Sequence, residues 1–251
     1  MALNNKKHHP ISGPFSVGTL KNDEDILIEI KSIETFDDVV WCLTRSAGIL
    51  KDNYKYVNNS EYSRKMRIID KKDENITKYC VGFVGTNSIE YMSSGRGGCH
   101  GGNLDLPCIK SGSTILLPSQ CNSSDVWFGD LHYEQGWGEL AGVASECSGI
   151  VTFVQKRVSL IQKTLEPIVI ETIEKDIYLY FVGARNTFEE ALQAATRNIL
   201  RFKKAFNCAN DTDMYYKIGT NADLMIGQAV AKTISLAIKI KVTTLEKFFI
   251  V

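Results

Sequence analysis

The chain has 251 residues, 44% of them hydrophobic and 23% charged, with 29 Lys plus Arg against 29 Asp plus Glu. A chain of that length buries roughly 70–75% of the surface its unfolded state exposes, so it needs no disulfide staples. The balanced charge gives no long-range field, which excludes nucleic acid or anionic membrane bound by bulk charge.

The seven cysteines are scattered without a CxxC pair. Such an odd, unpatterned set reads as reduced thiols in a cytoplasmic protein. The opening MALNNKKHHP has no apolar run behind its basic residues, unlike a signal peptide. The longest apolar-leaning stretch, 222–242, contains Asp223, Gln228 and several lysines, so no membrane span is expected.

In chain order, residues 26–33 (ILIEIKSI) alternate apolar and polar, as a half-buried strand must when side chains point to opposite faces. Short β-branched or aromatic runs predict further strands at 66–69, 79–84, 114–117, 126–128, 150–154, 169–173 and 177–182. Turn-forming clusters at 58–60, 71–75, 93–103, 120–125 and 136–138 separate them. The last third changes character. Thr187-Phe-Glu-Glu190 forms a capping box, and behind it Phe188, Ala191, Leu192, Ala195, Ile199, Phe202 and Phe206 recur at helical spacing. A second helical patch is expected over 215–230, then a closing strand over 233–242. The expected fold class is α+β, predominantly β: one domain over 1–251, with a sandwich- or barrel-like core about 9–183 and a helix-containing portion about 184–251.

Two motifs concentrate the polar chemistry. The loop from Ser94 to Asp105 holds five glycines in eight residues, which lets its backbone approach a ligand, with His100 among the glycines and Asp105 at its end. Its spacing does not match a phosphate-cradling loop. The segment from Phe128 to Glu139 sets Asp130 and His132 two apart, so that on a strand they share one face. Imidazole nitrogen and carboxylate oxygen at that spacing can meet one metal ion. Glu139 follows two glycines, and a carboxylate so placed can act as a general base. The bland alternative is a polar hairpin in which His132 only hydrogen-bonds a carboxylate. Cys99 beside His100, and Cys147, are the competing nucleophiles, although adjacent side chains generally point apart.

These residues resemble the acetamidase/formamidase family. His100-Gly-Gly-Asn-Leu-Asp105, Ser111-Gly-Ser-Thr-Ile-Leu-Leu-Pro118, Gly129-Asp-Leu-His132 and Gln135-Gly-Trp-Gly-Glu139, with Ala144 and Glu146, follow that family's pattern in order and spacing. Pro10-Ile-Ser-Gly-Pro-Phe15 upstream and Ala222-Asp-Leu-Met-Ile-Gly-Gln-Ala-Val230 downstream are similar to its flanking segments. The resemblance implies a β-rich, often dimeric protein that hydrolyses formamide or acetamide to ammonia and a carboxylate. It further implies a divalent metal, zinc in the first place and calcium in the second. Carried over, His100, Asp105, Asp130 and His132 are the metal candidates and Glu139 is the base. Asn103 orients the site and Gln135 contacts the amide. Trp137 replaces a family carboxylate, Leu131 replaces a glycine, and an N-terminal segment of strands is expected to be missing. A diverged, non-catalytic relative that keeps the fold and a ligand pocket is the alternative.

Overall fold

The computed structural model describes residues 9–35, 39–45, 48–49, 62–68, 79–89 and 93–249. The expected turns at 58–60 and 71–75 fall outside these residues. In chain order the strands are β1 (Ile11–Phe15), β2 (Glu24–Thr35), β3 (Val39–Arg45), β4 (Tyr62–Ile68), β5 (Cys80–Thr86), β6 (Gly97–Gly98) and β7 (Gly101–Asn103). They continue with β8 (Thr114–Leu117), β9 (Val126–Glu134), β10 (Ser145–Glu146), β11 (Gly149–Ser159), β12 (Ile168–Ile173) and β13 (Asp176–Arg185). Helices α1 (Phe188–Arg201) and α2 (Asp211–Asn221) then precede β14 (Ala222–Gln228) and β15 (Ile234–Val242).

The strands form two antiparallel sheets. The first runs β4-β3-β10-β9-β5-β7-β6, with β1 also paired to β9; the second runs β11-β2-β8-β12-β13-β15-β14. Apolar residues of both sheets, among them Val81, Val84 and Phe128 from the first and Ile26, Ile28, Ile115 and Val182 from the second, close into one core between them. The far face of the second sheet carries Leu27, Leu179, Phe181 and Ile238 against the helices. Because β2 is covered on both faces over its first half, its alternation there separates two cores rather than core from water.

Helix α1 starts where its capping box predicts, with Thr187 Oγ1 accepting from the Glu190 backbone N–H at 3.2 Å. Ala191, Ala195, Ile199, Phe202 and Phe206 turn into the second core, and full burial of a large apolar side chain there contributes about 1.5–3 kcal/mol. The architecture is α+β with β dominant, as composition and periodicity predict. One element differs. Helical structure was expected through 230, but α2 ends at Asn221 and the chain continues as β14, because backbone pairing along β15 outweighs local propensity. No helix among the described residues is long and apolar enough to cross a membrane.

Candidate metal centre

Strand β5 is buried along its whole length and pairs with both β7 and β9. Gly82 sits at its centre. A Cβ there would lie 2.6 Å from Asp105 Oδ1 and 2.7 Å from His132 Cε1, so a bare backbone is what lets the two side chains meet. Asp105 is held by its backbone N–H donating to Gly82 O at 3.1 Å. Asp130 lies opposite on β9, two residues before His132. Asp105, Asp130 and Glu139 have φ of 48°, 55° and 42°. Non-glycine residues in the left-handed region are uncommon and gather at functional sites.

The side chains of Asp130 and His132 come together. His132 Nε2 lies 3.6 Å from Asp130 Oδ1, 3.9 Å from Asp105 Oδ1 and 3.7 Å from Glu146 Oε2. These gaps are too long for hydrogen bonds. One ligand atom from each of Asp105, Asp130 and His132 falls within 4.8 Å of the others, a group that could hold a metal ion. Asp105 Oδ2 accepts from Asn103 Nδ2 at 2.6 Å and Gln228 Nε2 at 2.7 Å, whereas its buried Oδ1 has no donor among the described residues. A buried carboxylate oxygen left bare beside an imidazole nitrogen fits a cation.

Gln135 orders the other side of His132. Its Nε2 donates to the backbone carbonyls of Asp105 at 2.5 Å and Gly227 at 3.3 Å. Carbonyls only accept, so Gln135 Oε1 must be the atom 2.6 Å from His132 Nδ1. His132 therefore donates from Nδ1 and turns Nε2 to the carboxylates. Both amide N–H groups of Gln135 are used on the backbone in this way, and its oxygen orients the imidazole.

Charge within the cluster is uneven. Burial pushes the Asp105 carboxyl well above its ordinary range, and the neighbouring Glu139 adds to the rise. Burial also pushes Asp130 up, but contacts with His132 and His9 outweigh it and hold that group below the carboxylate range. His132 is raised, since Asp130 and Cys80 outweigh the burial that disfavours its charge. Glu146 is driven up to about 7 by burial, with His132 opposing and Asp130 and Glu139 reinforcing.

Glu139 is buried, and its Oε2 accepts from Gln228 Nε2 at 2.6 Å. His100 does not join the group. It is buried at the β6–β7 turn, where burial first and Arg185 second lower its pKa to about 4. The thiol reading fares no better: Cys99 accepts a contact from Gln120, and burial raises its pKa away from the thiolate. Leu131 packs toward the inter-sheet core, away from the cluster, and Trp137 stacks on Tyr180 with ring centres 6.5 Å apart. Sequence reasoning assigned no role to His9, whose Nδ1 reaches Asp130 Oδ1 at 3.1 Å, nor to Cys80 beside His132. Glu146 and Gln228 were visible only as letters of matching motifs.

The sequence model of the Acetamidase/Formamidase family matches residues 93–230. A comparison with curated proteins returns no match. Among solved structures, a predicted acetamidase/formamidase from Thermoanaerobacter tengcongensis is similar at 20% identity and TM-score 0.81, over 95% of this chain and 79% of that one. An acetamidase from Bacillus halodurans is similar at 23% identity and TM-score 0.79, over 96% and 81%. One from Yersinia enterocolitica is similar at 22% and 0.77, over 93% and 73%. At these identities the likeness is one of fold.

Proposed function

Because the chain belongs to the acetamidase/formamidase family, we propose that it hydrolyses small linear amides, of the formamide and acetamide kind, to a carboxylate and ammonia. Asp105, Asp130 and His132 hold a divalent cation in this reading, and Glu139 moves the proton. Its main support is the donor set itself: three ligand atoms within 4.8 Å, with buried Asp105 Oδ1 lacking a donor among the described residues. The imidazole nitrogen favours zinc, since zinc takes His nitrogen with carboxylate oxygen whereas calcium takes oxygen ligands.

When bound, the cation supplies positive charge for the oxyanion developing on the amide and acidifies water. The side chains do the rest. Asn103 and Gln228 tie down one oxygen of Asp105, so the other faces the centre. Gln135 fixes the imidazole. Glu139 takes a proton as water adds to the carbonyl carbon and returns it to the nitrogen as the C–N bond breaks. The products are the acid and ammonia.

The test is ammonia release from formamide and acetamide, with metal content determined on the same sample. Chelator-sensitive release with about one equivalent of zinc supports the reading. A folded protein that releases no ammonia after zinc is supplied overturns it, and leaves a non-catalytic relative.

A further inference from the structure

Gln228 is placed with unusual care for a side chain at the end of an edge strand. The β14–β15 register shifts between Ile226 and Gln228, around Gly227. Such a bulge re-aims the side chain that follows it. A Cβ on Gly227 would come within 2.5 Å of Leu104 O, so only glycine lets the strand end close against the segment leading to Asp105. Ser235 completes the seat: its Oγ accepts from the Gln228 backbone N–H at 2.9 Å and donates to Leu104 O.

The side-chain amide has two N–H donors and one carbonyl acceptor. Both N–H groups are used, on Asp105 Oδ2 at 2.7 Å and Glu139 Oε2 at 2.6 Å. Reversing the amide would set its oxygen against two carboxylate oxygens, so the orientation is fixed. That leaves Oε1, which is buried and has no donor among the described residues. Asn103 repeats the pattern, with Nδ2 on Asp105 Oδ2 and a buried Oδ1 that nothing described reaches. Two amide carbonyls of fixed orientation thus flank the cluster as acceptors without donors, next to the group that handles the proton. An unsatisfied buried acceptor is unfavourable, and a ligand bearing N–H relieves it.

We propose that Gln228 is the specificity-determining residue that reads the substrate nitrogen: its Oε1 accepts an N–H of the substrate –NH2 group, and Asn103 Oδ1 offers a second acceptor. This rests on the amidase reading and deepens it. Gln228 also grips Glu139, so the nitrogen it receives lies beside the carboxylate that returns the proton. The arrangement selects primary amides over esters and N,N-disubstituted amides, which present no N–H.

The test compares acetamide with methyl acetate, which shares the acyl group and lacks the N–H. In Gln228→Met, kcat/KM for acetamide should fall about tenfold further than for methyl acetate, the size of one lost hydrogen bond. A purely structural role lowers both alike and leaves the ratio unchanged, which overturns the proposal. Binding of the two compounds to the wild-type chain is measured separately by ligand-observed NMR in chelator, where turnover is absent. Acetamide should bind about tenfold more tightly; equal binding, or none of acetamide, overturns the proposal even if the variant fails to fold. A wild type that releases no ammonia but prefers acetamide refutes the amidase reading alone.

Discussion

Gln135 Oε1 lies 2.6 Å from His132 Nδ1, and the glutamine cannot turn over because its nitrogen faces two backbone carbonyls. One side chain thereby decides which ring nitrogen meets Asp105 and Asp130. Partners of this kind are worth about 10–100-fold in metal affinity. Gln135→Met should fold and weaken zinc binding by that factor in a chelator competition. Wild-type affinity in the variant would remove the orienting role.

Glu139 is buried, and its Oε2 accepts from Gln228 Nε2. Glu139→Gln keeps the shape and loses the base, so amide turnover should drop at least about a hundredfold. Metal content should stay at the wild-type level. Unchanged turnover would take Glu139 out of the mechanism.

Gly82 tests whether the cluster depends on close approach. Besides the two side-chain contacts, an added Cβ would lie 2.8 Å from the Asp130 carbonyl oxygen, which cannot swing aside. Gly82→Ala should cost about 1–3 kcal/mol by overpacking and also reduce bound metal. Full stability and metal content together would show that the strands can spread apart.

Asp25 lies far from this chemistry, on the helix-facing side of β2. It has no exposed surface; its Oδ2 accepts from the Thr164 backbone N–H at 2.8 Å and from Thr164 Oγ1 at 3.1 Å, and its Oδ1 has no donor among the described residues. Burial, opposed by the Thr164 bonds, pushes its pKa from 3.8 up to about 6. A folded-state pKa above the unfolded one means that the stability this group contributes is fully present below pH 4 and is lost as pH rises through 6. At 1.36 kcal/mol per pH unit the loss from this group is about 3 kcal/mol. Urea midpoints measured from pH 4 to pH 7 should show that decline in the wild type and a flatter profile in Asp25→Asn. Equal slopes in the two proteins would rule out Asp25 as the titrating group.

Much of the fold was legible because burial patterns repeat at short range. The alternation of β2, the Thr187 capping box and the Phe202–Phe206 stripe each appear within a few residues, at spacings set by backbone geometry. The boundary at Asn221 was not legible: Ala222–Gln228 becomes a strand only because β15, several residues later, supplies its hydrogen bonds.

The same division runs through the site. The sequence suggested that Asp130 and His132, two residues apart on a strand, would share a face, and its motifs marked Asn103, Asp105, Gln135 and Glu139. Only the tertiary structure decided what each touches. It left His100 at a separate turn, brought in His9, Cys80, Glu146 and Gln228, and gave Gln135 to the imidazole. Contacts such as that of Asp105 with Gln228, 123 residues apart, leave no local periodicity to read. They are set by strand register, by a bulge at Gly227, and by the bare backbone at Gly82.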